Sequence, residues 1–456
     1  MKSFLNNIQA YVEALVQKYD VPALSMAIWQ DDRLYKGAAG VLNIETGVLA
    51  DTDSIFQIGS ISKVFTASLI MQLVDEGRIN LDQPVKTYLR DFHVACPDAT
   101  ESITVRQLLC HTSGMAGSFS PDDSAGDGNH LARYLDRCYL LPQVHPPGEF
   151  FSYANSAYCI AGRLVEVMSG LAWAEAIEEC IVKPLGMQHV AVSPLQTLRF
   201  RTAIGHVVNR QDKNQWIPAP RCYLPLSMAP AGAVLAMSAS DLITFAQVHM
   251  RGGRAPSGAQ WLTEKSIQQM RTSQIKLPPH SELFITDWGL GWFLLNGGEA
   301  PVFGHDGVTI GQSVLLRIVP EKNLIFSILI NGDRWPAFAL QKALFCELMS
   351  ELAGYDYHEP EEGHTLSHPE QYCGHYESFG SEWDVVFEQE KLLVTTKIKS
   401  LEIPTEKLVL NPIDENCFVG YSKKGKRQLN ITFLSPDEDG RPAYLFSCFE
   451  LCHRVS

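Results

Sequence analysis

The chain has 456 residues, 46% hydrophobic and 19% charged, which is too apolar for a disordered protein and long enough for a large core with a second domain beside it. Its formal net charge of -14 has the wrong sign for gripping a phosphate backbone and argues against nucleic acid as a partner. Eleven scattered cysteines without a Cys-x-x-Cys pair disfavour a zinc site or a disulfide scaffold.

From the start, Met1-Lys2-Ser3-Phe4-Leu5-Asn6-Asn7 offers no apolar core for a secretory signal, and no stretch reaches the ~18 apolar residues of a membrane helix, so a soluble cytoplasmic protein is expected. Residues 3–19 space Phe4, Ile8, Tyr11, Val12, Leu15 and Val16 as a helix, followed by strands over 21–29 and 34–39 with a turn at Asp31-Asp32. Ser60 opens a buried helix, 64–76, with Val64, Phe65, Leu69, Ile70, Leu73 and Val74 on one face. The middle third reads as helices over 105–110, 130–140, 156–169 and 172–182, and the loop 118–129 is rich in Asp, Gly and Ser. An irregular stretch over 205–230 precedes a helix over 240–250 with Ser240 as its cap, then strands over 288–295, 312–319 and 324–330 and a helix over 336–353. Two strands near the start and three near the end predict one antiparallel sheet closed by both ends of the chain, with helices flanking it and a helical region inserted.

A polar break around Glu359-Pro360-Glu361-Glu362-Gly363 sets boundaries of 1–355 for this α+β domain, 356–368 for a linker and 369–456 for a last domain. Short alternating segments over 383–387, 392–396, 417–419, 429–433 and 443–446 predict a small antiparallel β-barrel there. Lys423-Lys424-Gly425-Lys426-Arg427 falls between two of these strands and reads as a solvated hairpin turn.

The first candidate for chemistry is Ser60-Ile61-Ser62-Lys63. One helical turn places hydroxyl and amine on one face, and a lysine desolvated at a buried helix start can take the serine proton. The motif is short, and Ser273-Gln274-Ile275-Lys276 repeats it in a polar stretch without company. Tyr153-Ala154-Asn155 follows a Pro146-Pro147-Gly148 turn and precedes a helix, where Tyr153 offers a phenol for proton transfer and Asn155 an amide for a substrate carbonyl or the lysine; Asn155 is equally placed to cap the helix. Gly304-His305-Asp306-Gly307 precedes a strand, with glycines that let backbone approach a ligand and a His able to donate or carry charge. His111, in Leu109-Cys110-His111-Thr112-Ser113-Gly114, reads as the support of a loop beneath the site. No metal or cofactor motif occurs.

These motifs, with Phe56-Gln57-Ile58-Gly59 before Ser60, Pro230-Ala231-Gly232 and Ser238-Ala239-Ser240-Asp241-Leu242, come in the order and rough spacing of the serine β-lactamase-like, penicillin-binding-protein-like family, which the chain resembles over nearly all of residues 5–352. That family holds class C β-lactamases, D-aminopeptidases, DD-peptidases, family VIII carboxylesterases and penicillin-binding-protein-type thioesterases. The resemblance implies a β-lactamase-like α/β sandwich with Ser60 as nucleophile, Lys63 and Tyr153 as base and proton shuttle, and Asn155 and His305 beside the reacting centre. It further implies an oxyanion hole from the backbone N-H groups of Ser60 and Val308, and Asp306 and Gly307 at the substrate. Where related class A enzymes carry Ser-Asp-Asn and Lys-Thr-Gly, this chain has Tyr and His in the first positions. The Tyr form resembles the class C and esterase branch, and the His resembles D-aminopeptidases. The last ninety residues resemble a lipocalin-like domain, which would cap the cleft or serve as a packing or dimerisation module.

The expected function is a serine acyl-transfer hydrolase of esters or of amides beside D-residues, without cofactor, metal, membrane or nucleic acid. Two alternatives stand beside it. One is a stand-alone thioesterase or cyclase that releases nonribosomal peptides from a carrier protein; the other is a covalent sensor that is acylated without turnover.

Overall fold

The computed structural model describes residues 3–117, 119–120, 128–209, 212, 215–281, 284–295, 301–332, 334–399, 407–422 and 425–456. Most of the expected 118–129 loop, and Lys423 and Lys424 of the basic turn, lie outside them.

Among the described residues the main sheet has nine strands, all antiparallel: Val48–Leu49, Arg33–Asn43, Ala23–Gln30, Leu324–Asn331, Gln312–Val319, Val302–Thr309, Phe293–Leu295, Asp287–Trp288 and Ile275–Lys276, in that spatial order. The seam between the two ends of the chain is in register from Ala23 against Asn331 to Gln30 against Leu324. Every residue of Gln312–Val319 and Leu324–Asn331 is buried, so these strands are apolar on both faces rather than alternating. Helices Ile8–Tyr19 and Arg334–Leu348 pack together against one face, and Ala239–Met250 covers the other.

The helix that carries Lys63, Ser62–Asp75, is not one-sided as its apolar pattern suggests. Polar Ser62, Thr66 and Ser68 are buried as well, because the helix runs through the interior, and Thr66 is held by the carbonyl of Pro230 and by the indole N-H of Trp173. Other differences are local. The 288–295 segment is two short strands, Asp287–Trp288 and Phe293–Leu295, folded back at Gly289 to Gly291. Ser238, not Ser240, caps Ala239–Met250, accepting from the Asp241 N-H. The 130–140 helix stops at Asp136 and gives way to a 3-10 turn at Cys138–Leu140.

Residues 354–366 have no regular secondary structure. After them eight strands from Gly374–Glu377 to Glu450–Arg454 close into an antiparallel barrel. Its centre is filled by Tyr372, Tyr376, Trp383, Val394, Phe418 and Phe433, so the barrel is a packed core rather than an open cup. Its last hairpin reaches the catalytic sheet. Ser447 pairs with Glu450 across a two-residue turn, Cys448-Phe449, in which both residues have positive φ, 50° and 63°. No helix among the described residues is long and apolar enough to cross a membrane.

Candidate active site

Ser60 lies in a 3-10 turn, Gly59–Ile61, that runs directly into Ser62–Asp75. The turn carries Lys63 back beneath it: Nζ is 3.0 Å from Ser60 Oγ and donates to the carbonyl of Ala231 at 2.5 Å. Lys63 has no exposed surface. Burial makes its charged form costly and brings its pKa down from the ordinary lysine range to about 7, against a small opposing pull from Cys159. At neutral pH about half of such amines are free bases, able to accept the Ser60 proton.

The Tyr153 ring lies 4.8 Å from Lys63 Nζ. Burial pushes its phenol well above the ordinary tyrosine range, with contact to Ser60 pulling the other way, so at neutral pH it keeps its proton. The residue is held from below and from the side. His111 stacks on it with centroids 4.2 Å apart and accepts the Ala154 N-H on Nδ1 at 3.0 Å, while the His111 carbonyl takes the Ser152 N-H at 2.9 Å. His111 thus supports the loop, as expected. From the side, the Tyr153 N-H donates to the Phe449 carbonyl at 2.8 Å, and the Leu451 N-H donates to Ser152 Oγ at 3.2 Å.

Asn155 is the first residue of Asn155–Ser169, whose N-cap is Ala154 without a side-chain cap, so the capping role open to it in the sequence is not the one it has. Its half-buried amide has no hydrogen-bond partner among the described residues. His305 is buried, 2% exposed; its Nδ1 lies 2.6 Å from the Asp306 carbonyl and its Nε2 has no partner. Burial, reinforced by the nearby Lys63 charge, brings its pKa to about 3. Asp306 does not face the nucleophile with its carboxylate. Adjacent residues of a strand point to opposite faces, and Asp306 turns to the fully buried Arg317, which grips it with two N-H groups at 2.5 and 3.0 Å.

Backbone convergence depends on three glycines. A Cβ on Gly307 would sit 1.9 Å from the Ile58 carbonyl oxygen, one on Gly59 would sit 2.7 Å from Val308 N, and one on Gly232 would sit 2.9 Å from Ser60 N. Thr309 and Gln312 flank the two-residue hairpin turn, so Val308 opposite Ser313 is a non-hydrogen-bonded pair. Its N-H therefore points away from the Gln312–Val319 strand and toward the Gly59–Ile61 turn that carries Ser60.

Ser60, Lys63, Tyr153, His305 and Val308 are thus brought together. The second Ser-x-x-Lys is not part of this: Ser273 Oγ donates to Asp287 at 2.6 Å and Lys276 is exposed on the edge strand. Trp288, Phe449, Arg317 and the Ala231 carbonyl escaped sequence reasoning. Only the Gly232 motif beside Ala231 gave a signal, since a backbone carbonyl leaves none of its own. Among the described residues no group of three His, Cys, Asp or Glu could hold a metal ion.

A family model described as Beta-lactamase matches residues 8–345. Penicillin-binding protein 4 of Amycolatopsis lactamdurans is 39% identical over 347 residues, covering 76% of this chain and 90% of that protein. Among solved structures, SurE superposes with a TM-score of 0.81 at 28% identity over 99% of both chains, barrel included. SurE with D-Leu superposes with a TM-score of 0.78 at 27% identity, again over 99% of both.

Proposed function

The chain belongs to the β-lactamase family, and on that premise we propose that it is a serine acyl-transfer enzyme acting on peptide acyl groups beside D-residues. The observation that carries this reading is the fully buried Lys63 amine 3.0 Å from the Ser60 hydroxyl, with its pKa brought to about 7. In the proposed cycle Ser60 Oγ bonds to the substrate carbonyl carbon as its proton passes to Lys63 Nζ, and the oxyanion is held by the Ser60 and Val308 N-H groups. The tetrahedral species collapses to a Ser60 ester, and the leaving group departs with a proton relayed through Tyr153. Water or an amine then attacks the ester, gives up a proton to the same pair and returns Ser60 to its hydroxyl form. SurE, similar over its whole length, was solved with D-Leu, which supports D-residue recognition here.

A second reading, aminolysis that cyclises a peptide delivered as a carrier-bound thioester, is favoured by the hairpin at the cleft. Phe449 brings an aromatic ring to within 6.4 Å of Trp288 and 6.5 Å of Phe151, centroid to centroid, and such crowding disfavours water as the acceptor.

Intact-mass spectrometry of wild type and Ser60→Ala with a fluorophosphonate, a p-nitrophenyl ester and a peptide thioester ending in a D-residue tests the proposal. Labelling confined to wild type, with free acid or cyclic peptide released, supports hydrolase or cyclase respectively. Labelling that survives Ser60→Ala overturns it, and a stable adduct without turnover indicates a covalent sensor instead.

A further inference from the structure

Between the catalytic domain, the linker and the barrel lies a cavity of about 570 Å³, the size of a small-molecule site. Its walls come from stretches far apart in the chain: residues 280–281 and 284–286, the helix Arg334–Leu348 with residues 357–360 of the linker after it, and the barrel strand Arg427–Pro436. The floor is aromatic. Phe284 lies face to face with Phe345, centroids 5.9 Å apart, and Tyr357 closes on the two rings at 5.0 and 4.9 Å. Phe338, 42% exposed, continues the apolar wall. A concave aromatic surface of this kind gives a flat apolar group a place to shed its hydration.

The rim carries charge. Lys342 from the helix and Arg427 from the barrel both reach the carboxylate of Glu359 on the linker, Lys342 at Oε1 and Arg427 at Oε2, the latter at 2.8 Å. These three are the charged side chains among the lining residues, two cations against one carboxylate; His280 and His358 add no charge when neutral, and His280 is turned to Asp414 on the barrel, 3.5 Å from its Nε2. Glu359 is exposed and lies in a stretch without regular secondary structure, so a second carboxylate can share its two partners.

The cavity is separate from the serine. The Phe345 ring of its floor stands 5.0 Å from the Arg317 guanidinium, and Arg317 holds Asp306 on the face of the strand opposite His305. The main sheet therefore divides this cavity from Ser60.

We propose that the cavity binds an aromatic monocarboxylate, its rings against Phe284, Phe338 and Tyr357 and its carboxylate at the rim on Lys342 and Arg427. Binding there does not depend on Ser60.

Isothermal titration calorimetry of the full chain at pH 7 with 2-naphthylacetate and its neutral analogue 2-naphthylacetamide tests the proposal. One molecule of the acid should bind per chain, at least about tenfold more tightly than the amide, a difference of about 1.4 kcal/mol. The double substitution Lys342→Gln, Arg427→Gln should remove that preference. Glu359→Gln frees both cations and should tighten the acid several-fold while leaving the amide unchanged, a gain that a merely structural role for the linker carboxylate would not give. Ala339→Trp fills the cavity from the helix and should abolish binding of both ligands while p-nitrophenyl acetate hydrolysis stays as in wild type. The rim substitutions fall on exposed or half-buried side chains, so they carry the test even if the larger ring at position 339 disturbs folding. No binding of the acid, equal affinity for acid and amide, no gain in Glu359→Gln, or acid binding unchanged in a folded Ala339→Trp overturns the proposal.

Discussion

The backbone N-H of Tyr153 is bonded to the carbonyl of Phe449, so the proton-carrying phenol of the site is anchored by the last hairpin of the barrel. That hairpin is strained, because Cys448 and Phe449 occupy left-handed backbone positions that Asn and Gly adopt with ease. The Phe449 ring instead packs near Trp288 and Phe151, so its side chain and its turn geometry can be tested apart. The double substitution Cys448→Asn, Phe449→Gly should stabilise the turn by about 1 kcal/mol and leave the thermal midpoint unchanged or higher. It should also raise KM for a bulky peptide thioester several-fold while changing kcat little for p-nitrophenyl acetate. A parallel fall in both substrates' kcat would show that the hairpin only holds Tyr153 in place.

Lys63 must be uncharged to accept a proton. With its pKa brought to about 7, the rate of ester hydrolysis at limiting substrate should climb as pH rises through 7 and level off above it. Lys63→Arg fixes a charge at the same place and should lose at least about a thousandfold at every pH. A profile flat between pH 6 and 8 in the wild type would contradict the assignment of the base.

The same burial costs stability. An unfolded lysine is charged at pH 7 whereas the folded one is half neutral, a penalty on the order of 4 kcal/mol. Because the folded pKa is lowered, the unfolded chain binds more protons between pH 7 and 10, and stability from this group rises with pH across that window. Lys63→Met should therefore be inactive yet melt at a higher temperature than wild type at pH 7, and calorimetry at pH 7 and 9 should show the gap narrowing.

Tyr153 keeps its proton at neutral pH, so in the proposed cycle it would relay a proton rather than hold a standing negative charge. Tyr153→Phe retains the ring against His111 and Lys63 and should fold normally, while kcat falls by roughly a hundredfold or more. Circular dichroism with ester kinetics reads both.

Gly307 lets the Val302–Thr309 strand touch the nucleophile turn. Gly307→Ala places a methyl carbon against the Ile58 carbonyl and must push Val308 away from Ser60. The expected cost is about 3 kcal/mol of transition-state stabilisation, close to a hundredfold in kcat with KM little changed. Retained activity would place the second oxyanion donor elsewhere.

Much of this was legible in the amino-acid order. Ser60 and Lys63 announce each other through helical spacing, Tyr153 through the Pro-Pro-Gly turn before it, and the sheet through strands placed at both ends of the chain. What stayed hidden has physical reasons. Arg317 sits in an apolar strand pattern where nothing marks its partner Asp306 until strand register brings them together. Phe449 lies far along the chain in a segment whose alternation reports only a barrel. The split of 288–295 into two strands follows from Gly289 packing against the Met270 carbonyl and Gly291 folding back over Ala67, contacts that local propensity does not encode.

The pairing of Ala23–Gln30 with Leu324–Asn331 also governs when the enzyme comes into being. During synthesis the first strand must wait, with one edge unpaired, for some three hundred further residues before its partner emerges, a topology that folds slowly and exposes sticky edges meanwhile. The serine and lysine are made early, but the Ala231 carbonyl and the Val308 N-H arrive later. A ribosome-bound fragment that stops short of Val308 therefore lacks a donor that the proposed cycle requires, and on that cycle reactivity toward acyl groups would switch on only as the sheet closes.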